Sequence, residues 1–274
     1  MHARLQLSPA TELPTMGPEW SPEVYARHAG PRLRPALDLL GRVPIGHAET
    51  VVDLGCGGGA LFPALRARFA TARLMGIDSS PAMLERARAV DPDVELVEAD
   101  EAFWRPGSTV DLIIANASLQ LISGHQRLIP ELLGCCRCLA VQVPDNFAAP
   151  SHRLVRETMA QAPWSDHLAG VRLGDRILSA EAYANLLRGE GLEPDLWRTT
   201  YYHRLAGPAP VLDWLRGTTL LPVQAALGGA KSPTTMAFEA ALGEHLAAAY
   251  PPMADGAVLF PFTRLFFVAT RPGA

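Results

Sequence analysis

The chain of 274 residues is 49 % hydrophobic and 19 % charged, with a formal net charge of −4. That length holds one large domain, or one domain with a substantial insertion, and its apolar content builds a core without help from a membrane. No basic block stands out and lysine is scarce beside arginine, so the chain shows no electrostatic footprint for nucleic acid.

In chain order, Met1 to Met16 lack the basic start and apolar stretch of a secretion signal, and no apolar run reaches the ~18 residues that cross a bilayer. A cytoplasmic protein without a membrane segment is expected. A helix is predicted from Pro31 to Arg42, with Leu33, Leu37 and Leu40 on one face, as a lid. Short buried strands are predicted at Val51–Leu54, Leu74–Ile77, Val94–Val97, Leu112–Ala115 and Leu139–Val143. Between them lie a helix opened by Ser80 as N-cap and Pro81 at its first position, and another from His125 to Cys135. Two late strands are predicted, at Asp195–His203 and Leu265–Ala269. The fold expected is α/β: a doubly wound, mostly parallel sheet of seven strands whose last two are antiparallel to each other.

The sequence Val51-Val52-Asp53-Leu54-Gly55-Cys56-Gly57-Gly58-Gly59 closes an apolar run with an acid and a glycine-rich turn. Nineteen residues beyond Gly59, Asp78 closes a second apolar run in Gly76-Ile77-Asp78. This is the layout of a nucleotide-binding βαβ unit, in which glycines admit a ligand to the backbone and the second acid accepts from ribose hydroxyls. The third glycine is misplaced for a dinucleotide fingerprint, and no Lys-Ser/Thr pair follows as in a P-loop. Asp53 would repel a pyrophosphate but suits a cationic amino-acid end. The ligand so described is S-adenosylmethionine (SAM), and the antiparallel ending expected of the sheet is that of the class I SAM-dependent methyltransferase (Rossmann-like) fold. The expected organisation is a lead-in and lid over residues 1–45, a SAM-binding core over 46–147, helical cap insertions over 148–180 and 207–255, and the remaining core helix and strands over 181–206 and 256–274. Cys135, Cys136 and Cys138 lie close together but lack a fourth ligand at compatible spacing. They read as small core residues in a reducing compartment, and no metal is expected.

Blocks outside the cofactor motif carry a more specific likeness. Trp20–Tyr25, Arg34–Leu40, Gly76–Leu84, Asn116–Gln120, Gln142–Asn146, Trp197–His203, Tyr250–Pro252 and Arg264–Phe266 resemble trans-aconitate 2-methyltransferases. The resemblance spans roughly residues 18 to 271. It implies methylation of one carboxylate of a small carboxylic acid. It further implies that Asp53, Gly55 and Gly57 line the methionine end of SAM, that Asp78 and Ser79 hold the ribose, and that Asp100 and Glu101 face the adenine amino group. Asn116, Ala117 and Leu119 would close over the sulfonium, Arg34 would pair with the SAM carboxylate, and Tyr25 would be a further cofactor contact. Trp20, Gln120, Asn146, His152, Tyr201, Tyr202, Trp214 and Arg264 are the expected acceptor contacts. The chain departs from the family pattern at Gly57-Gly58-Gly59, where a proline is usual, at Leu121 in place of tryptophan, and at Leu221 and Pro261 in place of arginines.

A carboxylate acceptor is ionised near neutral pH, so in-line methyl transfer from a sulfonium needs alignment and removal of water rather than a general base. No catalytic residue is nominated. His125, His152 and His203 are open to substrate contact or to structural roles. The aromatics Trp20, Tyr25, Tyr201, Tyr202 and Trp214 are open to a cage around the sulfonium or to packing. Of Tyr201 and Tyr202, neighbours on a strand, only one faces a given side. Two other functions fit the motif: an enzyme that closes SAM on its own amine to azetidine-2-carboxylic acid and methylthioadenosine, and a SAM-binding protein without catalysis. A small-molecule carboxylate or SAM itself is the expected partner, and a monomer or homodimer the expected state.

Overall fold

The computed structural model describes residues 29–173 and 177–271. Helix α1 (Ala29–Arg42) leads into strand β1 (Thr50–Leu54), α2 (Phe62–Arg68), β2 (Arg73–Asp78), α3 (Pro81–Val90) and β3 (Glu95–Glu98). Then come β4 (Val110–Asn116), a 3-10 turn (Leu119–Leu121), α4 (His125–Cys135) and β5 (Cys136–Pro144). The chain continues through α5 (Pro150–Met159), α6 (Ser165–Leu168), α7 (Ala180–Gly189) and β6 (Asp195–Leu205), then α8 (Pro210–Arg216), α9 (Leu221–Ala226), α10 (Pro233–Ala249) and β7 (Val258–Thr270).

The strands form one seven-stranded sheet in the order β3-β2-β1-β4-β5-β7-β6. The first five pair in parallel, and β7 runs antiparallel to both of its neighbours. The strand order reverses between β1 and β4, which opens a crevice beyond their carboxyl ends, where ligands of open α/β sheets bind. Strand ends lie within three residues of the predicted ones except at the start of β7. There β7 extends back to Val258, because alternation with Thr263 and Arg264 hides its start from an apolar-run criterion.

One core layer, on α1, α2 and α3, packs Leu39, Phe62, Leu65 and Ala87 against Val51, Leu112 and Phe266. The opposite layer, on α4 and α7, packs Leu132, Tyr183 and Leu187 against Ile113, Leu139 and Phe267. A third apolar cluster gathers α5, α6, α8, α9 and α10 around the outer part of β6–β7, with Trp214, Leu215, Phe238 and Phe260 at its centre. It stands on the side of the sheet's carboxyl ends that the first two layers leave open.

Two local expectations are corrected. Leu37 is exposed, and α1 instead buries Ala36, Leu39 and Leu40 against the sheet, so this helix is part of a core layer. The Ser80 hydroxyl makes no capping bond to α3; the turn is tied by Asp78, whose Oδ1 accepts from the Ser80 backbone N–H at 2.9 Å. Serine does cap elsewhere, at Ser179 before α7 and Ser232 before α10. Cys136 and Cys138 are buried and Cys135 half-buried, and all four cysteines are free thiols.

Candidate active site

The β1 turn is held by its own backbone. Gly55 and Cys56 N–H groups both donate to the Ile77 carbonyl, at 2.8 and 2.9 Å. Gly55 has φ +77°, and a Cβ there would stand 2.2 Å from Cβ of Ser118, whose hydroxyl donates to the Leu54 carbonyl at 2.8 Å. Only glycine lets β1 and the β4 turn approach so closely. Gly57, at φ +53°, faces open space instead, so its backbone is presented to a ligand. Its N–H donates to Asp78 Oδ2 at 2.8 Å. Asp78 is thereby oriented by one N–H on each carboxylate oxygen, with further lone pairs left to accept from a diol.

A cleft of about 540 Å³ opens at this turn. Asp53, Gly55, Gly57, Asp78, Ser79, Asp100, Glu101, Asn116 and Ala117 line it. Its floor is strongly acidic. Burial, with the Asp78 charge second, pushes Asp53 up to about 7. Burial also lifts Glu101 to about 7, with the Asp78 and Asp100 charges adding to the rise. Burial raises Asp78 as well, although its two N–H partners oppose the shift. Carboxylates forced together and out of water are stabilised by a bound cation. The donor set therefore fits SAM: an acid row for the cationic end, an oriented carboxylate for the ribose, and a glycine backbone clear of side chains.

A second cavity, of about 310 Å³, adjoins the first and shares Asn116, Ala117 and Leu121 with it. Gln120, Asn146, His152, Trp214 and Arg264 line it, together with Phe147, Arg172, Leu173, Thr218, Thr219 and Phe262. Two arginines face it and, among the described residues, no Asp or Glu does. Arg264 is buried, lies 4.8 Å from the Phe262 ring centre, and donates from Nη1 to Gln142 Oε1 at 3.0 Å. His152 hydrogen-bonds Thr219 Oγ1 through Nε2 and Ser151 Oγ through Nδ1, each at 3.2 Å. Burial first, then the nearby Arg156 charge, lowers it to about 4, so its ring is neutral near pH 7.

At the boundary of the two spaces, Ala117 adopts φ +55°, a left-handed conformation that no other non-glycine among the described residues shares. Two hydrogen bonds hold it: its N–H donates to the Gln142 carbonyl at 2.9 Å, and its carbonyl accepts from Gln120 Nε2 at 2.7 Å. Backbone strain of this kind persists only where the surroundings over-determine it, and it gathers at functional sites.

Four expected site residues are placed elsewhere. Leu119 is fully buried, with its side chain in the α4–α7 core layer beneath the turn. Arg34 lies on the exposed side of α1, 5.5 Å from the Tyr201 ring centre, outside the cleft lining. Tyr201 is buried toward α1, where it bonds Asp38, and Tyr202 on the opposite strand face is 64 % exposed, so neither lines a cavity. Strand alternation sends the pair to opposite sides, and neither side of β6 at that level faces the ligand crevice. Trp20 and Tyr25 lie outside the described residues. His125 is structural: its Nε2 donates to the Leu119 carbonyl at 2.9 Å, and its Nδ1 meets the Tyr183 hydroxyl. His203 stacks on Trp214 of the second cavity with ring centres 4.7 Å apart, and does not itself line that cavity. Conversely, Leu33 and Arg86 of the cleft, and Phe147 and Arg172 of the second cavity, carry no sequence signal beyond their place in apolar or charged stretches. Ala36, Met83 and Ser118 of the cleft lie inside the Arg34–Leu40, Gly76–Leu84 and Asn116–Gln120 blocks.

The comparisons with known proteins agree with this geometry. A family described as a methyltransferase domain matches residues 51–138. The trans-aconitate 2-methyltransferase of Azoarcus sp. (strain BH72) is 44 % identical over 93 % of this chain and 100 % of its own length. That of Streptomyces coelicolor is 44 % identical over 95 % of this chain and 89 % of its own, and that of Escherichia coli (strain 55989) 40 % over 92 % and 98 %. Among solved structures, the YcgJ protein from Bacillus subtilis shares the fold at a TM-score of 0.55, with 13 % identity and coverage of 87 % of this chain and 98 % of that one. With an acidic cleft beside a second cavity that carries two arginines, and relatives matched nearly end to end, this chain is a SAM-dependent enzyme that belongs to the trans-aconitate 2-methyltransferase family.

Proposed function

We propose that the enzyme transfers the methyl group of SAM to one carboxylate of a small polycarboxylic acid of the trans-aconitate kind. The observation that carries this reading is the opposite charge of two cavities that meet at Asn116–Ala117: acids line the donor side, and Arg172 and Arg264 the acceptor side. Cations are needed where carboxylates leave water. SAM that closes on its own amine has no use for a second, basic space.

In this reading Asp53, Gly55 and Gly57 hold the methionine end and Asp78 with Ser79 the ribose. Asp100 and Glu101 serve the adenine side, and Tyr25 is a further cofactor contact. Asn116 and Ala117 border the sulfonium, with Leu119 supporting them from the core. Gln120, Asn146, His152, Trp214 and Arg264 receive the acceptor, and Trp20 is grouped with them. The helices of 148–180 and 207–255 form the cap of the acceptor cavity, over the core of 46–147. Bound SAM supplies an electrophilic methyl on a sulfonium. The chain's own part is to align and dry the nucleophile: apolar Phe147, Leu173, Trp214 and Phe262 exclude water, and His152, neutral, takes no proton from the acid. The carboxylate oxygen forms the new C–O bond as the C–S bond breaks, its electron pair stays on sulfur, and no proton moves. The free thiols fit a reducing, cytoplasmic compartment, and the reading takes the enzyme as a monomer or homodimer.

Incubation with SAM and trans-aconitate, followed by mass spectrometry, tests the proposal. Equal amounts of S-adenosylhomocysteine and a monomethyl ester are expected. Methylthioadenosine formed from SAM alone would overturn it.

A further inference from the structure

Gln142 stands between the two halves of the site without lining either cavity. It is fully buried on β5, beside Asn116 in the β4–β5 register. Its backbone carbonyl accepts the Ala117 N–H at 2.9 Å, fixing the turn at the boundary of donor and acceptor spaces. Its side-chain Oε1 accepts from Arg264 Nη1 at 3.0 Å, fixing a guanidinium on the wall of the acceptor cavity. Its Nε2 has no partner among the described residues. A buried amide with half of its capacity unused is costly, and is kept where its orientation matters.

Among the described residues, the unpartnered buried amide atoms near this boundary are Asn116 Oδ1, on a residue that both cavities share, and Gln120 Oε1 and Asn146 Nδ2, on residues of the acceptor cavity alone. Arg172 and Arg264 line only the acceptor cavity. A guanidinium paired in bidentate fashion with the attacking carboxylate would occupy the lone pairs that must reach the methyl carbon.

From this arrangement we infer that Gln142 is a positioning residue that sets Arg264 on a non-reacting carboxylate of the acceptor, at a fixed offset from the methyl-transfer point at Ala117. The inference rests on the proposed methylation of a polycarboxylic acid and deepens it: one carboxylate of the acceptor is anchored on Arg264 while another is methylated. The reacting carboxylate is the one left at the Asn116–Ala117 boundary, where the two cavities meet.

The test compares trans-aconitate with crotonate, an unsaturated monocarboxylate, in the wild type and in Gln142→Glu and Gln142→Met. In the wild type kcat/KM for trans-aconitate exceeds that for crotonate by about 100-fold, the worth of one charge-assisted anchor. Gln142→Glu keeps the shape but engages Arg264 in an ion pair, and Gln142→Met removes the tie. Each raises the trans-aconitate KM by roughly tenfold or more and closes most of the gap to crotonate, while SAM affinity by calorimetry stays within about twofold. A merely structural role would shift both acids and SAM together. If Gln142→Met does not fold, the near-isosteric Gln142→Glu decides. The inference is overturned if crotonate rivals trans-aconitate in the wild type, or if the gap survives in a variant that folds and binds SAM. Absence of ester from every acid in a SAM-binding wild type would instead strike the carboxyl methylation itself.

Discussion

The Tyr201 hydroxyl donates a 2.6 Å hydrogen bond to Oδ2 of Asp38, joining β6 to α1 across 163 residues of sequence. The contact is one of a row. Arg34, Asp38 and Arg42 recur at every fourth residue and so share one helix face. Asp195, Trp197 and Tyr201 share one face of the strand. Arg34 lies 5.5 Å from the Tyr201 ring centre, Arg42 lies 4.9 Å from that of Trp197, and Arg42 Nη1 reaches Asp195 Oδ2 at 3.1 Å. The exposed ion pair contributes little. The buried tyrosine matters more, because α1 brings Leu33 and Ala36 to the cofactor cleft. Tyr201→Phe is expected to lower stability by about 1 kcal/mol. It should also weaken SAM binding roughly threefold to tenfold and leave the acceptor KM in place. Calorimetric titration and thermal melts check this; unchanged SAM affinity would reduce the row to simple packing.

The acidic cleft makes SAM binding depend on pH. Asp53 and Glu101, lifted to about 7 chiefly by burial, are partly protonated at neutral pH. A cationic ligand favours their ionised forms, so binding releases protons. SAM affinity should therefore rise as pH increases through 7, and level off before the ligand's own amine loses its proton near ~8. The same shifts act on stability. The folded carboxyls bind protons more tightly than the unfolded ones, so their contribution is fully present below the unfolded values near 4 and is lost as pH rises through 7. Titration in buffers of different ionisation enthalpy measures the released protons; none released would contradict the assignment.

Asp78 is the best-oriented group in the cleft, with both oxygens held by the Gly57 and Ser80 N–H groups. Asp78→Ala removes acceptors for the ribose and leaves those two donors without their partner. SAM affinity is expected to fall by about 100-fold or more, in line with the loss of charge-assisted bonds. Asp78→Asn, with one acceptor left, should fall between. The melting temperature in SAM-free buffer separates loss of ligand contact from loss of the turn.

Gly55 is expected to tolerate no side chain. A Cβ would lie 2.2 Å from that of Ser118, at a φ of +77°. Gly55→Ala should cost about 2–4 kcal/mol, from overpacking together with the left-handed backbone. Gly57→Ala meets no atom within 4 Å, so only its backbone term of about 1 kcal/mol applies to stability. Its methyl would, however, stand in the ligand space. Gly55→Ala is thus a folding mutant and Gly57→Ala a binding mutant, and chemical denaturation alongside SAM titration distinguishes them.

The local parts of this enzyme are legible along the chain. The alternation of apolar runs and helical patterns yields the doubly wound sheet, and the Asp53–Gly59 turn with Asp78 yields SAM, because periodicity, turn chemistry and short spacing act between neighbours in sequence. The whole-chain likeness carries the family. What tertiary structure alone decides is how the second cavity closes: from the ends of β4 and β5, from α5, from the stretch at Arg172–Leu173, from Thr218 and Thr219, and from Phe262 and Arg264 on β7. It also decides that Tyr201 grips α1 while Tyr202 faces solvent, and that Leu37 points away from the core. Periodicity states that a face is apolar but not what lies against it. Residues nearly 150 positions apart, such as Ala117 and Arg264, are joined only when the sheet places Gln142 between them.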